Sequence, residues 1–309
     1  MKIYGVFGDP IEHSLSPAMQ NAAFKALGMD ACYHPFRVSR ERLKEAIFGA
    51  AAMGFGGLNL TIPLKEKALE IVQPDELARS IGAVNTVSFG PEGEDEDKVK
   101  AGTGTRAGAG AEIEAQVGAG IEGRIRGHNI RGHNTDGFGA LLALEVAGVR
   151  VKGSRVLIIG AGGAARAIAY TLDMVGAEIS IANRSLQRAE ELAGHIGGIG
   201  YSLCDLERLV GQSEIIINAT SVGMKEGDSR LFPGDLLHRE NVVFDIVYNR
   251  ETELLKDARA AGALAIDGVM MLVYQGAKAL EIWTGQKAPA DVMERAVREG
   301  LKERSKRAR

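Results

Sequence analysis

The sequence predicts an α/β protein of two domains. Three observations carry that expectation. Apolar runs suited to strands recur between segments with helical spacing, in both halves of the chain. The 309 residues are too many for one ordinary domain and suit two, each able to bury a core. The run RVLII is followed at once by Gly160-Ala161-Gly162-Gly163 and an alanine-rich helical stretch, a unit typical of parallel sheets.

The first half opens with a strand over KIYGVFG, a helix from Ser16 to about Leu27, a strand near CYHPFRV, a helix over RERLKEAIFGAAA and a strand at GGLNLTI. Such alternation predicts a mostly parallel sheet with helices on its faces. Ser16 before Pro17 reads as a helix N-cap, which leaves Ser14 without a local role. In LNLTIPLKEK, Leu58, Leu60 and Ile62 alternate with Asn59 and Thr61 and should form a buried strand. Pro63 then suits the first turn of a helix, which puts Lys65 in that turn as well. A cation at the positive end of a helix dipole costs a few tenths of a kcal/mol, roughly 0.3, unless something there uses it.

From Gly90 to Gly132 the chain is rich in Gly, Ala and charge and ends in a tandem IRGHN copy; it reads as a long mobile loop or extended hairpin and is assigned no chemistry. Residues 136–148 form an apolar-faced helix that carries the chain to the second half. There RVLII, a helix to Gly176, EISIANR, a helix from Ser185, EIIINAT, VVFDIVY and ALAID are successive strand-helix units. The last segment, from MMLVYQGAKALEIWTG onward, is helical and too apolar for a free tail. The expected division is a first domain over 1–138 with its insert at about 90–132, a second over 139–267, and terminal helices over 268–309 that pack back on the first.

The Gly160-Ala161-Gly162-Gly163-Ala164-Ala165 turn is a G-x-G-x-x-A pattern in the right context for a Rossmann-type dinucleotide site. One glycine makes the turn, the next lets a pyrophosphate approach, and the helix amides face the phosphates. After the next strand, the acidic residue that would hold an NAD ribose is missing. Asn183, Arg184, Ser185 and Arg188 stand there instead, and Arg184 and Arg188, four apart, could share a helix face beside the Ser185 cap. The set suits the 2′-phosphate of NADP, although an RxxxR pair is also common on solvated surfaces.

Ser14, Ser16, Asn85, Asp136 and Lys65 all fall near predicted strand ends or helix starts, where open α/β sheets bind ligands. Asn and Asp beside Gly also serve ordinary turns. Taken together, hydroxyls, a carboxamide, a carboxylate and an ammonium match a small polyhydroxylated molecule.

The ordered motifs SLSP, NLTIPLK, GAVNT, NTDG, GAGGAARA, NRSLQR, NATSVGM and GVMMLVYQGA resemble the shikimate dehydrogenase family across nearly the whole chain outside the insert. The resemblance implies two α/β domains around a cleft, and NADPH-linked reduction of 3-dehydroshikimate in chorismate and aromatic amino-acid biosynthesis. It implies Lys65 as the catalytic lysine, with Asp136 as its carboxylate partner. Ser14, Ser16, Thr61, Asn85, Tyr248 and Gln275 would be substrate-holding groups. Gly160, Ala161, Gly162, Gly163 and Ala164 would form the cofactor turn, Asn183, Arg184, Ser185 and Arg188 the phosphate clamp, and Ile246 and Gly268 would lie near the nicotinamide. Where family members often carry a proline soon after that tyrosine, this chain reads YNRETELL and is one residue shorter. The family also implies a homodimer. A quinate/shikimate dehydrogenase using NAD and a non-catalytic metabolite or nucleotide sensor are the alternative readings.

A formal net charge of −3 gives no electrostatic reason to expect nucleic acid or an anionic membrane as partner. The two cysteines, Cys32 and Cys204, make no metal-spaced cluster, so no metal site is expected and both should be reduced. Without a basic-then-apolar leader or an apolar run of about 20 residues, a soluble, cytoplasmic protein is expected.

Overall fold

The computed structural model describes residues 1–91, 124–125 and 128–307. Its first half contains β1 (Lys2–Gly8), α1 (Ser16–Ala26), β2 (Ala31–Arg37), α2 (Leu43–Ala52), β3 (Gly57–Leu60), β4 (Gln73–Pro74), α3 (Glu76–Ile81), β5 (Thr86–Pro91), β6 (Arg124–Ile125) and β7 (His128–His133). These strands form one sheet in the order β2-β1-β3-β5-β7-β4, with β6 paired to β7. The sheet is mixed, a correction to the mostly parallel expectation: β5 runs antiparallel to both β3 and β7. β6 and β7, consecutive in the chain, form an antiparallel hairpin beside β5.

The second copy of the IRGHN repeat belongs to that hairpin, which corrects its inclusion in a segment with little to bury. Ile130 is fully buried, and a Cβ at Gly132 would lie 2.5 Å from Val72. The insert's central residues, 92–123, lie outside the described residues.

The second sheet is built from β8 (Arg155–Ile159), β9 (Glu178–Asn183), β10 (Ile199–Ser202), β11 (Ile215–Asn218), β12 (Val242–Asp245) and β13 (Leu264–Ile266). All its pairings are parallel, in the order β10-β9-β8-β11-β12-β13. This is the doubly wound 3-2-1-4-5-6 arrangement, whose order reverses between β8 and β11. The central strands are buried on both faces, as near-continuous apolar runs such as Val156–Ile159 and Ile215–Ile217 require. One core lies between this sheet and α5 (Gly163–Met174) and α6 (Leu186–Gly194); the other is closed by α7 (Leu206–Gln212) and α8 (Glu253–Ala260).

Three helices join the halves. α4 (Asp136–Val146) is wedged between α5 and α9 (Val269–Thr284), with glycines at the contacts. A Cβ at Gly137 would fall 2.0 Å from Thr171 Oγ1, and one at Gly139 2.7 Å from the Met271 carbonyl. Only hydrogen fits at either place. α9 and α10 (Ala290–Arg307) pack against α1, and Val269, Val273, Leu280, Met293 and Val297 share a core with Tyr4, Met19, Phe24 and Tyr33.

Candidate active site

The segment after β3 differs from its expected form. Instead of an α-helix, residues 62–66 make turns that lead to a short 3-10 helix, Lys67–Glu70, and the Ile62–Pro63 peptide bond is cis. Lys65 therefore does not sit in the first turn of an α-helix, and the dipole cost foreseen for it does not arise. Ile62, expected inside, is 64% exposed, whereas Asn59 is buried. β3 is central and covered on both faces, so a polar residue within it has nowhere wet to point.

Asn59 is accommodated by hydrogen bonds. Its Nδ2 donates to Thr86 Oγ1 at 3.1 Å and to the Asn85 carbonyl at 3.2 Å, while the buried Tyr33 hydroxyl donates to its Oδ1 at 2.7 Å. Burial pushes the Tyr33 phenol well above its ordinary 10.0, so it serves as a donor. Asn85 is the next link: its Oδ1 accepts from the Thr135 amide at 2.8 Å, and its Nδ2 donates to Asp136 Oδ1 at 2.8 Å. Asp136, 4% exposed, opens α4, and its amide is held by Asn134 Oδ1 at 3.0 Å. The other carboxylate oxygen, Oδ2, accepts a hydrogen bond from Lys65 Nζ. Lys65 is also fixed through its backbone, whose carbonyl accepts from the Val84 amide at 2.9 Å. A chain of side chains thus runs from Tyr33 to the ammonium.

Lys65 faces the second sheet. A Cβ at Gly163, the first residue of α5, would lie 3.4 Å from both Cβ and Cδ of Lys65. The glycine turn before α5 is shaped for close approach. Gly160 has φ +118°, and a Cβ there would meet the Ala219 carbonyl at 2.9 Å. At Gly162, by contrast, a Cβ would meet nothing within 4 Å. Ala161 and Ala164 complete the turn, and open space in front of the α5 amides fits the pyrophosphate of a dinucleotide.

At the end of β9, Ser185 caps α6, accepting from the Arg188 amide at 3.4 Å, while Asn183 Nδ2 holds the Ser185 carbonyl at 3.1 Å. Arg184 stands one residue before the cap, off the helix, so the argument that it shares a helical face with Arg188 does not hold. Arg188 reaches the Ala161 carbonyl at 3.3 Å and Glu66 at 3.5 Å. It therefore links the glycine turn to the residue after Lys65.

The remaining predicted positions have these neighbours. Ser16 is not the N-cap expected of it but the first residue of α1, after Leu15 at the cap, and its amide donates to Ser14 Oγ at 3.2 Å. Thr61 abuts the end of β1, where a Cβ at Gly8 would lie 2.4 Å from its methyl group. Gln275 lies on α9 beside Gly139 of α4, and Gln20 of α1 donates to the neighbouring Gly276 carbonyl at 2.9 Å. Ile246 and Gly268 meet at the ends of β12 and β13, a Cβ at Gly268 falling 2.2 Å from the Ile246 carbonyl. Tyr248 packs into the first-half core beside Leu15. Its phenol is pushed up by burial, against the opposing effects of Arg304 and a hydrogen bond at the Leu15 backbone.

Sequence reasoning left out Asp245. It is fully buried at the end of β12, accepting from Thr252 Oγ1 at 2.6 Å, Asn218 Nδ2 at 2.9 Å and the Val247 amide at 3.1 Å. Burial raises its carboxyl above the ordinary 3.8, and these hydrogen bonds pull the other way. It ties the ends of β11 and β12 together beside Ile246. An aspartate directly after the apolar run VVF was the available signal.

Among the described residues no cluster of His, Cys, Asp and Glu is arranged to hold a metal ion, and no helix is long and apolar enough to cross a membrane. Cys32 and Cys204 are free thiols.

Comparison with known proteins gives the family. Residues 6–87 match the shikimate dehydrogenase substrate binding domain, 141–258 the shikimate / quinate 5-dehydrogenase model and 268–298 the shikimate 5′-dehydrogenase C-terminal domain. The chain is 56% identical over 301 residues to the shikimate dehydrogenase (NADP(+)) of Methanothrix thermoacetophila, covering 97% of this chain and 98% of that one. It is similar to the crystal structure of shikimate dehydrogenase from Aquifex aeolicus, with a TM-score of 0.81 and 35% identity over 96% and 98% of the two chains. The Thermus thermophilus shikimate 5-dehydrogenase in complex with NADP(H) and shikimate gives a TM-score of 0.78 and 33% identity over 97% and 99%. The chain belongs to the shikimate dehydrogenase family.

Proposed function

We propose that this chain catalyses the reversible NADPH-linked reduction of 3-dehydroshikimate to shikimate, the step that serves chorismate and aromatic amino-acid biosynthesis. The observation that carries the reading is Lys65, whose ammonium is bonded to Asp136 and whose aliphatic stem lies against Gly163 of the cofactor turn. NADPH, when bound, supplies the hydride to the carbonyl carbon.

The residues of the chain do the rest. Lys65 delivers a proton or hydrogen bond to the ketone oxygen as the hydride arrives. Asp136 aims the ammonium and is itself aimed by Asn85, so the donor is preorganised rather than recruited at the moment of reaction. Ser14, Ser16, Thr61, Asn85, Tyr248 and Gln275 hold the substrate's oxygens. Gly160, Ala161, Gly162, Gly163 and Ala164 cradle the pyrophosphate, and Ile246 and Gly268 flank the nicotinamide. Asn183, Arg184, Ser185 and Arg188 hold the 2′-phosphate, Arg184 from the strand end and Arg188 from the helix.

The same proposal divides the chain into a substrate domain over 1–138, a nucleotide domain over 139–267 and returning helices over 268–309. Packing of α9 and α10 on α1 supports that division. It includes a homodimer and a cytoplasmic location, which light scattering and cell fractionation would test.

The activity is tested by following NADP reduction with shikimate, beside Lys65→Ala and an arm with quinate and NAD. Turnover with shikimate and NADP that Lys65→Ala abolishes supports the reading. Preference for quinate with NAD, or binding without turnover in the unmodified chain, overturns it.

A further inference from the structure

Met293, Val297 and Leu301 of α10 lie in one helical row that packs into the core shared with α1 and α9. The next residue of that row is a cation, Arg304, at a place where another apolar side chain would continue the stripe. Its partners are far away in sequence. Nη1 donates to the His13 carbonyl at 2.7 Å and Nη2 to the Ser14 carbonyl at 3.0 Å, across 291 and 290 residues.

A second observation shows that the helix is shaped for this approach. Gly300 lies one turn before Arg304, and a Cβ there would fall 2.9 Å from Leu15 Cδ2. Gly300 and Arg304 therefore bracket the loop that carries Ser14 and leads into Ser16. Tyr248, reaching over from the second half, meets the same loop at Leu15 and feels the Arg304 charge.

We propose that Arg304 is a positioning residue for substrate binding: its guanidinium locks carbonyls 13 and 14, and so sets the Ser14 and Ser16 hydroxyls against the substrate. This rests on the reading of those serines as substrate-holding groups. A planar guanidinium can serve two adjacent carbonyls at once; a lysine ammonium in its place could hold one well, and a methionine neither. The loop also has ties of its own, from the Ser14 amide to the Ile11 carbonyl at 3.0 Å and from the Ser16 amide to Ser14 Oγ at 3.2 Å. Losing Arg304 should therefore loosen the loop without unfolding the domain.

The test compares Arg304→Met, Arg304→Lys and Ser14→Ala in the full chain, measuring KM for shikimate, KM for NADP, kcat and the urea midpoint. Arg304→Met should raise KM for shikimate about fivefold, leave KM for NADP and kcat within about twofold, and be partly rescued in Arg304→Lys. Equal rises in both KM values, or an unchanged KM for shikimate, overturn the proposal. Should Arg304→Met fail to fold, Arg304→Lys decides alone: a shikimate KM equal to that of the unmodified chain overturns it, and a selective rise supports it. Ser14→Ala separates the two layers. If it raises KM for shikimate while Arg304→Met does not, only the positioning role falls; if Ser14→Ala has no effect, the reading of the serines falls and takes the proposal with it.

Discussion

Gly163 and Lys65 belong to different halves of the chain, yet a methyl group on the glycine would touch the lysine side chain at 3.4 Å. The start of the nucleotide-binding helix and the aliphatic stem of the proposed proton donor are thus neighbours, and the ammonium beyond that stem is held by Asp136.

If that ammonium donates to the reacting oxygen, removing it costs rate rather than cofactor affinity. Lys65→Ala should lower kcat about 10²- to 10⁴-fold while KM for NADP changes little. Asp136→Asn keeps the size of the side chain but loses the ionic partner, and should fall in the same direction by a smaller factor. Steady-state kinetics in both directions checks this; a Lys65→Ala kcat close to that of the unmodified enzyme would remove the lysine from the mechanism.

The two turn glycines should fail differently. Gly160 has φ +118° and a carbonyl against its missing Cβ, so Gly160→Ala should cost about 1–3 kcal/mol of stability, read as a lower urea midpoint. Gly162 has ordinary φ and open space. Gly162→Val should keep the midpoint and raise KM for NADP, because the added atoms occupy the approach of the pyrophosphate. Similar losses of stability in both variants would contradict the assignment.

Arg188 is shared between the Ala161 carbonyl and Glu66. The pair with Glu66 is about half exposed, a class worth roughly 0–1 kcal/mol, so its release should matter by no more than about fivefold. Glu66→Gln should tighten NADP by up to that factor and leave NAD unchanged, since only NADP brings a 2′-phosphate to the arginine. Arg188→Leu should weaken NADP selectively. Isothermal titration of both nucleotides distinguishes these effects, and a Glu66→Gln change that is equal for NAD and NADP would refute the argument.

Asp75 caps α3, accepting from the Ala78 amide at 2.7 Å, and pairs with His133 Nδ1 at 2.8 Å. Burial pushes its carboxyl up, but the His133 and Ala78 hydrogen bonds outweigh it and hold the carboxyl below 3.8. A carboxyl whose folded value lies below its unfolded one contributes stability above the unfolded value and loses it as pH falls through the folded value. Asp75→Asn retains the cap but loses the charge. Its deficit relative to the unmodified chain should be full near pH 6 and shrink below pH 3.8. Urea midpoints from pH 6 to pH 3 measure the gap; a gap that widens in acid would reverse the sign and discard the explanation.

Much of this was legible in the linear chain. The central strands of the second sheet are near-continuous apolar runs, and the turn after RVLII is marked by its glycines. Others were misread for definable reasons. Asn59 looked like the polar side of an alternating strand because alternation assumes one wet face, and β3 has none. Ile62 looked buried because the strand was extended past Leu60 into the turn. Arg184 and Arg188 looked like helical neighbours because the four-residue spacing was applied across the Ser185 cap, and Arg184 precedes the helix. The second IRGHN copy was grouped with the polar insert because composition averages over a window, whereas pairing to β5 is decided residue by residue.

By itself the sequence determined the alternation of strands and helices, the nucleotide turn and the chemical kinds of group available, because backbone preference and apolar periodicity act within a few residues. Only the tertiary structure decided which groups meet. Lys65 and Asp136 are 71 residues apart, and Arg304 is 290 from Ser14. Their contacts depend on how α4 and α10 pack, through Gly137, Gly139 and Gly300, and that is a matter of close-packed shape with no signature in local pattern.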